Sequence, residues 1–332
     1  MSTPLVSIVI PAKDEAGNLP ALLDEVDAAL VGTDYEVLVV DDGSTDGSAR
    51  IAQEYGVRLF SQPPSGTSTA RNRGVEEAAG AVVLFTDADC VPDRHWLETL
   101  SRLLLENQVS GAVGRCCSKQ SQWVAALIQI ELDERYSRMK KHQEIDFLNT
   151  GNCGFRREVL GEPPPFDENF GWLEDVELSF RLSHLNHRMC FVPAAQVSHP
   201  HPQSLFQYLR RKFHYATHAF WIYRRYPHKT LSDSRTPTSR RLQLLFLGLA
   251  ILSGVASLSS AMSGLLGASF LFLSVLCSYP VVMSAASQSL RLGVLAPGFV
   301  LLANLAFILG AVRGVFPTFR KVRPVSETVQ QN

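Results

Sequence analysis

The sequence predicts an α/β fold: a mostly parallel sheet flanked by helices, followed by an α-helical membrane region. Three observations carry this. Short β-branched runs alternate with helical stretches through the first half. Two of those runs end in carboxylates, where an open α/β sheet places its ligands. The last quarter is apolar and almost free of charge.

Val6 to Ile10 reads as a buried strand ending at Pro11, and Asn18 to Leu30 has apolar residues at helical spacing. Tyr35 to Val40 is the second strand and Asp46 to Tyr55 a helix. Val57 to Phe60 is the third strand, Ser68 to Ala79 a helix, and Ala81 to Thr86 the fourth strand. This rhythm implies parallel strands covered by helices. Gly161 to Pro165 is a stiff loop. Beyond Arg241, three stretches are long enough to cross a bilayer: Leu242–Met262, Leu265–Ser287 with a kink expected at Pro280, and Leu292–Val312, interrupted by Pro297 and Asn304. Arg235, Arg240 and Arg241 keep the start of the first on the cytoplasmic side. Three spans would then export Arg313, Arg320, Lys321 and Arg323, against the same rule, so either one segment is re-entrant or interfacial or the bias is overridden.

The 31 basic and 32 acidic residues leave a net charge of −1, which excludes a global attraction to nucleic acid. Arg181 to Arg241 is nonetheless basic. Within it, Arg210 to Tyr226 interleaves cations and rings, the pattern of an interfacial element on membrane lipids. The six cysteines form neither a disulfide framework nor a zinc pattern, which fits a reducing compartment. Met1 to Pro4 is too short for a signal peptide, so a cytoplasmic catalytic part is expected.

The chemistry is expected at the strand ends. Val82 to Thr86 runs into Asp87-Ala88-Asp89, and residues i and i+2 of a strand share a side. The two carboxylates are therefore expected to converge, and hard oxygen donors suit Mg²⁺ or Mn²⁺ brought with a phosphate-bearing substrate. Asp-x-Asp is also an ordinary turn. Asp41 and Asp42 end the second strand and can accept from a pyrimidine N–H or a ribose hydroxyl; Gly43 permits the turn and Asp46 caps the next helix.

The segments SIVIPAKDEAGNL, YEVLVVDDGSTDGS, ARNRG, VLFTDADCVPDRHWLE, NTGNCGFRREVL and FDENFGWLEDVELSFRL resemble the family 2 glycosyltransferases of GT-A fold, over about residues 5 to 230. The resemblance implies a Rossmann-like GT-A domain over 1–230, with the basic-aromatic element at 204–230. A transmembrane region of two to three helices would follow at 240–316, and a short tail at 317–332. It implies donor contacts from Pro11, Glu15, Asp41, Asp42, Arg71 and Asp87, and a metal, Mn²⁺ or Mg²⁺, held by Asp89 with Asp87 and His199. Asp175 would be the base that deprotonates the acceptor, with Glu174 as its support. Asn152 and Trp172 would lie on the acceptor side. Each has a plainer reading: a structural ion pair for Arg71, an acidic helix start for Glu174-Asp175, core filling for Trp172.

The expected protein is a multi-pass enzyme of the cytoplasmic membrane. It would move a sugar, with inversion, from a nucleotide-sugar donor, a UDP-sugar favoured, to a lipid-linked or membrane-proximal glycan acceptor. A polyprenyl-phosphate sugar synthase is the nearest alternative, although Cys90 to Trp96 departs from the run those enzymes carry after Asp-x-Asp. An inactive binding module predicts a broken carboxylate set, and the set is complete. A dinucleotide oxidoreductase needs a glycine-rich turn after the first strand, where Pro11 to Gly17 stands instead. Gln207 to Arg211 has Arg211 where processive synthases carry Trp, which counts against polymerisation.

Overall fold

Val6–Ala12 (β1) is buried along its whole length, as a central strand covered on both faces must be. The computed structural model describes residues 5–29, 34–106, 108–161, 164–257 and 260–316. In chain order β1 is followed by α1 (Leu19–Ala29), β2 (Tyr35–Asp41), α2 (Ser48–Glu54), β3 (Arg58–Ser61), α3 (Thr67–Glu77) and β4 (Val82–Thr86). Then come β5 (Val91–Pro92), α4 (Trp96–Leu105), β6 (Gly111–Cys117), α5 (Trp123–Met139), β7 (Asn152–Arg156), α6 (Arg157–Leu160), α7 (Glu174–His184) and β8 (Met189–Ser198). The helical part comprises α8 (Leu205–Arg225), a 3-10 turn at Pro227–Thr230, α9 (Thr238–Ala256), α10 (Ala261–Leu276), α11 (Tyr279–Gln288) and α12 (Leu290–Val315).

The sheet has the order β3-β2-β1-β4-β7-β6-β8-β5. Its first four strands are parallel, as the β-α rhythm predicts. The sheet is mostly parallel as expected, and its second half is mixed. β7 lies antiparallel to both β4 and β6, and β5 antiparallel to β8, with only β6 and β8 parallel there. Pro11 costs β1 little, since the ladder to β4 has already ended at Val9–Phe85. Under the sheet, Leu19, Leu22 and Leu23 of α1 meet Ile8, Val39, Leu84 and the indole of Trp96 in one core.

Contacts divide the chain into two units, Met1–Gln120 with Tyr136–His201, and Ser121–Arg135 with Pro202–Asn332. The first thirteen residues of α5 thus belong with the helices, a partition with no local mark in the sequence. In that unit Val124, Leu127, Tyr208, Val281, Phe299 and Val300 share a core. α9 and α12 are each long and apolar enough to cross a membrane. The expected first span overshoots, because α9 ends at Ala256 and Met262 already belongs to α10. The expected second span is broken between α10 and α11 by a bend of 48°, with Pro280 in the first turn after the break, where its missing N–H costs nothing. Pro297 lies inside an unbroken α12. The tail 317–332 and Leu30 lie outside the described residues.

Candidate functional site

The rim above β1 and β2 is built from two interlocked loops. Asp14, in left-handed backbone, accepts from the Thr45 N–H at 2.7 Å, while its own N–H donates to Ser44 Oγ at 2.9 Å. Asp46 accepts from Ala16 N–H at 3.0 Å and Ser48 N–H at 2.9 Å. It sits one residue before Gly47, the N-cap of α2, so it ties loop to loop rather than capping in the usual position. Glu15 donates its backbone N–H to Ser48 and accepts from Asn18 Nδ2 at 2.7 Å. Burial, with Asp89 and Asp87 adding like charge against the help of Asn18, raises its pKa above the usual carboxylate value.

Asp41 and Asp42 are both buried. Asp41 accepts from Ser44 N–H at 3.1 Å. Asp42 receives Gln62 Nε2 at 2.8 Å and the Ser65 and Gly66 N–H groups at 2.8 and 2.9 Å. It thereby fixes the start of α3. Gly43 fits here because its φ is +73° and a side chain would strike the ring of Pro64.

α3 carries the centre of the site. Arg71 has a side chain only 4% exposed. Its Nη2 donates to Asp87 at 2.7 Å and its Nη1 to Glu174, joining the end of β4 to the start of α7. Despite burial, which works against the charge, these carboxylates and Asp175 hold the guanidinium firmly protonated. The neighbouring Asn72 exchanges two hydrogen bonds with the backbone of Phe166, at 2.9 and 2.8 Å, and Ser68 Oγ donates to Phe170 O at 3.0 Å. One face of α3 thus anchors the loop that delivers Trp172, Glu174 and Asp175. Sequence reasoning missed Asn72 and Ser68; Asn72 shares the ARNRG motif with Arg71, while Ser68, three residues before Arg71, lies outside it.

The expected convergence of Asp87 and Asp89 is not found. β4 ends at Thr86, and the next residues form a turn closed by Cys90 N–H to Asp87 O at 2.9 Å, so strand alternation no longer applies. Asp87 turns to Arg71. Asp89 turns to His199, with Nε2 to Oδ2 at 3.5 Å. β5 arranges this meeting by pairing Val91 with Ser198. Asp89, Cys90 and His199 offer ligand atoms within 4.8 Å of one another. Carboxylate and imidazole are about a third or less exposed and suit a divalent ion such as Mn²⁺. The Cys90 thiol fits less well: burial, with Asp87 nearby, pushes its pKa well up, so it stays protonated in the core.

Glu174 and Asp175 open α7 after Leu173, which is held in left-handed backbone. Glu174 is buried on Arg71, whereas Asp175 is half-buried and receives the Val176 N–H at 2.8 Å. Trp172 is 38% exposed, which removes the core-filling reading. Asn152 needs a correction. Its side chain is fully buried, receiving Trp96 Nε1 at 2.7 Å and donating to Arg115 O and Ala195 O at 3.0 and 3.1 Å. Its amide locks the sheet and has no face left for an acceptor. All six cysteines are free.

Residues 7–162 match the family described as glycosyl transferase family 2. The chain is 29% identical over 207 residues to glycosyltransferase AglE of Haloferax volcanii, covering 59% of this chain and 67% of that one. It is 28% identical over 235 residues to the pre-mycofactocin glycosyltransferase of Mycobacterium tuberculosis, covering 68% of this chain and about half (49%) of that one. Among solved structures, the mannosyltransferase PcManGT from Pyrobaculum calidifontis, in complex with GDP-Man and Mn²⁺, superposes with a TM-score of 0.59. It covers 96% of this chain and 89% of its own at 19% identity.

Proposed function

Residues 7–162 belong to glycosyl transferase family 2, and from that premise we propose that the protein transfers a sugar with inversion from a nucleotide-sugar donor to a lipid-linked or membrane-proximal acceptor. The observation that carries this is the division of labour around Arg71. The guanidinium binds Glu174 and Asp87, and the adjacent Asp175 is only half-buried. Asp175 is then the group that receives the acceptor's proton. The acceptor oxygen attacks the anomeric carbon, the bond from that carbon to the donor phosphate breaks, and the proton ends on the Asp175 carboxylate. Glu174 is a positioning residue, fixed through Arg71. Trp172 offers an exposed ring face to a sugar.

Asp41 and Asp42, on a rim stiffened by Glu15 and Asp14, supply acceptor oxygens suited to a pyrimidine or ribose, and Pro11 shapes its floor. This supports a UDP-sugar; the GDP-Man held by the similar mannosyltransferase makes a GDP-sugar the competing donor. The donor set of Asp89 and His199 fits Mn²⁺ or Mg²⁺, which would offset charge on the departing nucleoside diphosphate. The apolar C-terminal helices support anchoring in the cytoplasmic membrane with the catalytic unit on the cytoplasmic side.

The test is nucleotide release by the purified full-length protein in detergent. UDP-, GDP- and dTDP-sugars would be offered with Mn²⁺, Mg²⁺ or EDTA, beside Asp89→Ala. Metal-dependent release from one donor, lost in the variant, is the expected result. Absence of both release and metal-dependent nucleotide binding would replace the transferase with an inactive binding module.

A further inference from the structure

We infer that α12, despite its length and apolarity, does not cross the membrane but lies along its surface, presenting one apolar stripe to the lipid at the base of an inserted α9–α10 hairpin. The inference rests on the membrane-anchoring part of the reading above.

The levels of the helices decide it. Gln243, two residues beyond Arg241 in α9, donates to Cys277 O at 2.8 Å and accepts from Asn304 at 3.0 Å. Ser274 donates to Gln243 O at 3.0 Å. The start of α9, the end of α10 and the middle of α12 therefore meet at one level. That level is within a turn of charged groups: Arg240 pairs with Glu131 at 3.0 Å and Arg241 with Asp233 at 2.6 Å. A spanning α12 would hold its midpoint near the bilayer centre and drag these charges with it, at a cost that membrane helices avoid.

α8 gives the same answer independently. The Tyr208 ring stacks on Phe299 at 4.7 Å, and Thr217 Oγ1 donates to Gly310 O at 3.2 Å. Gly310 and Gly314 let the backbones touch; a Cβ at Gly310 would lie 2.1 Å from Phe213 O. α12 from Phe299 to Gly314 thus shares the depth of a helix that carries Arg210, Arg211, Lys212, Arg224 and Arg225. Such a helix stays at the interface.

The surface of α12 fits this placement. Val294, Gly298, Leu302, Leu305, Leu309 and Val312 recur at three- and four-residue spacing and are exposed, while Ala296, Phe299, Val300, Ala303 and Gly310 on the other side are buried. The helix is apolar all round because one face meets protein and the other meets acyl chains. Arg291 and Arg313 bracket the stripe, as cations facing lipid phosphates do. Beyond the shared level, α9 and α10 bear exposed Leu252, Val255, Met262, Leu265 and Phe272, the surface of an inserted hairpin. With both ends of the hairpin on one side, Arg240, Arg241 and Arg313 lie on the same face. The charge conflict of a three-span arrangement disappears.

Depth-dependent quenching tests this. Val294→Cys, Leu302→Cys and Val312→Cys, in full-length protein reconstituted in phosphatidylglycerol-containing vesicles, would carry an environment-sensitive fluorophore. Phospholipids brominated near the headgroup or near the acyl terminus would be the quenchers. Labelled unsubstituted protein gives the background of the native thiols, and Leu252→Cys reports the hairpin. The three α12 sites are expected to share one shallow depth, with Leu252→Cys deeper. A spanning α12 would instead set Leu302 about 12 Å deeper than Val294, and that pattern overturns the inference. So would no quenching at any of the three, which means that protein covers the stripe. The readout needs no turnover, so failure of the transferase reading leaves it intact.

Discussion

Arg71 and Glu174, 103 residues apart in the chain, form a buried ion pair whose second arm reaches Asp87 at 2.7 Å. The pair makes the positions of the β4 end and the α7 start depend on one guanidinium. Beside these two carboxylates the half-buried Asp175 is the one proposed above as the base.

Arg71→Lys should therefore lose transfer even though the charge is kept, because a single ammonium does not reproduce the fork. Arg71→Ala strands two partly or fully buried carboxylates and should destabilise the catalytic unit by about 3–5 kcal/mol. Urea unfolding followed beside nucleotide release separates the two effects. Near-normal release in Arg71→Lys would remove the guanidinium from the positioning role.

Asp175→Asn should lower turnover by a factor on the order of 10²–10⁴, the usual contribution of a placed base, while nucleotide binding is retained. Calorimetric binding of the nucleoside diphosphate, run with the turnover assay, distinguishes this from misfolding. Substantial remaining turnover would move the base elsewhere.

His199→Ala and Asp89→Ala should both weaken metal-dependent nucleotide binding, but Cys90→Ser should not, since its thiol stays protonated and core-facing. Loss of the nitrogen donor should also shift the preference from Mn²⁺ toward Mg²⁺. Titration of nucleotide binding with each ion reads this directly; an unchanged preference in His199→Ala would take the imidazole out of the metal set.

Asn152→Ala should cost about 1–3 kcal/mol, because it leaves the Trp96 N–H and two buried carbonyls without partners. The acceptor KM should not change. A raised KM with unaltered stability would restore the acceptor-side role that its position in the sequence suggests.

Acid should weaken the helical unit through Glu131. Burial by itself would raise its pKa, but Lys212 at 3.1 Å and Arg240 at 3.0 Å prevail and hold it at about 2, below the ordinary 4.5. A depressed folded-state pKa adds stability that is complete above about pH 4.5 and is lost as the pH falls toward 2. The amount is on the order of 3 kcal/mol. Glu131→Gln should flatten that part of the pH–stability curve, measured by helical circular dichroism; a curve unchanged in shape would place the acid sensitivity in other carboxylates.

The sequence by itself determined the parallel half of the sheet and the identity of its acidic ends. Strands such as Val6–Ala12 and Val82–Thr86 are continuous apolar runs between turn residues, and such local periodicity records which faces are buried. It does not record what covers them. Tertiary structure alone decided that β7 and β5 run antiparallel, that a turn after Thr86 sends Asp87 to Arg71 and Asp89 to His199, and that Asn152 is spent on Trp96. It also decided that Asn304 meets Gln243, two residues beyond Arg241 of α9. Each depends on contacts between residues far apart in the chain, where hydrogen-bond satisfaction and charge burial, rather than local pattern, select the partner.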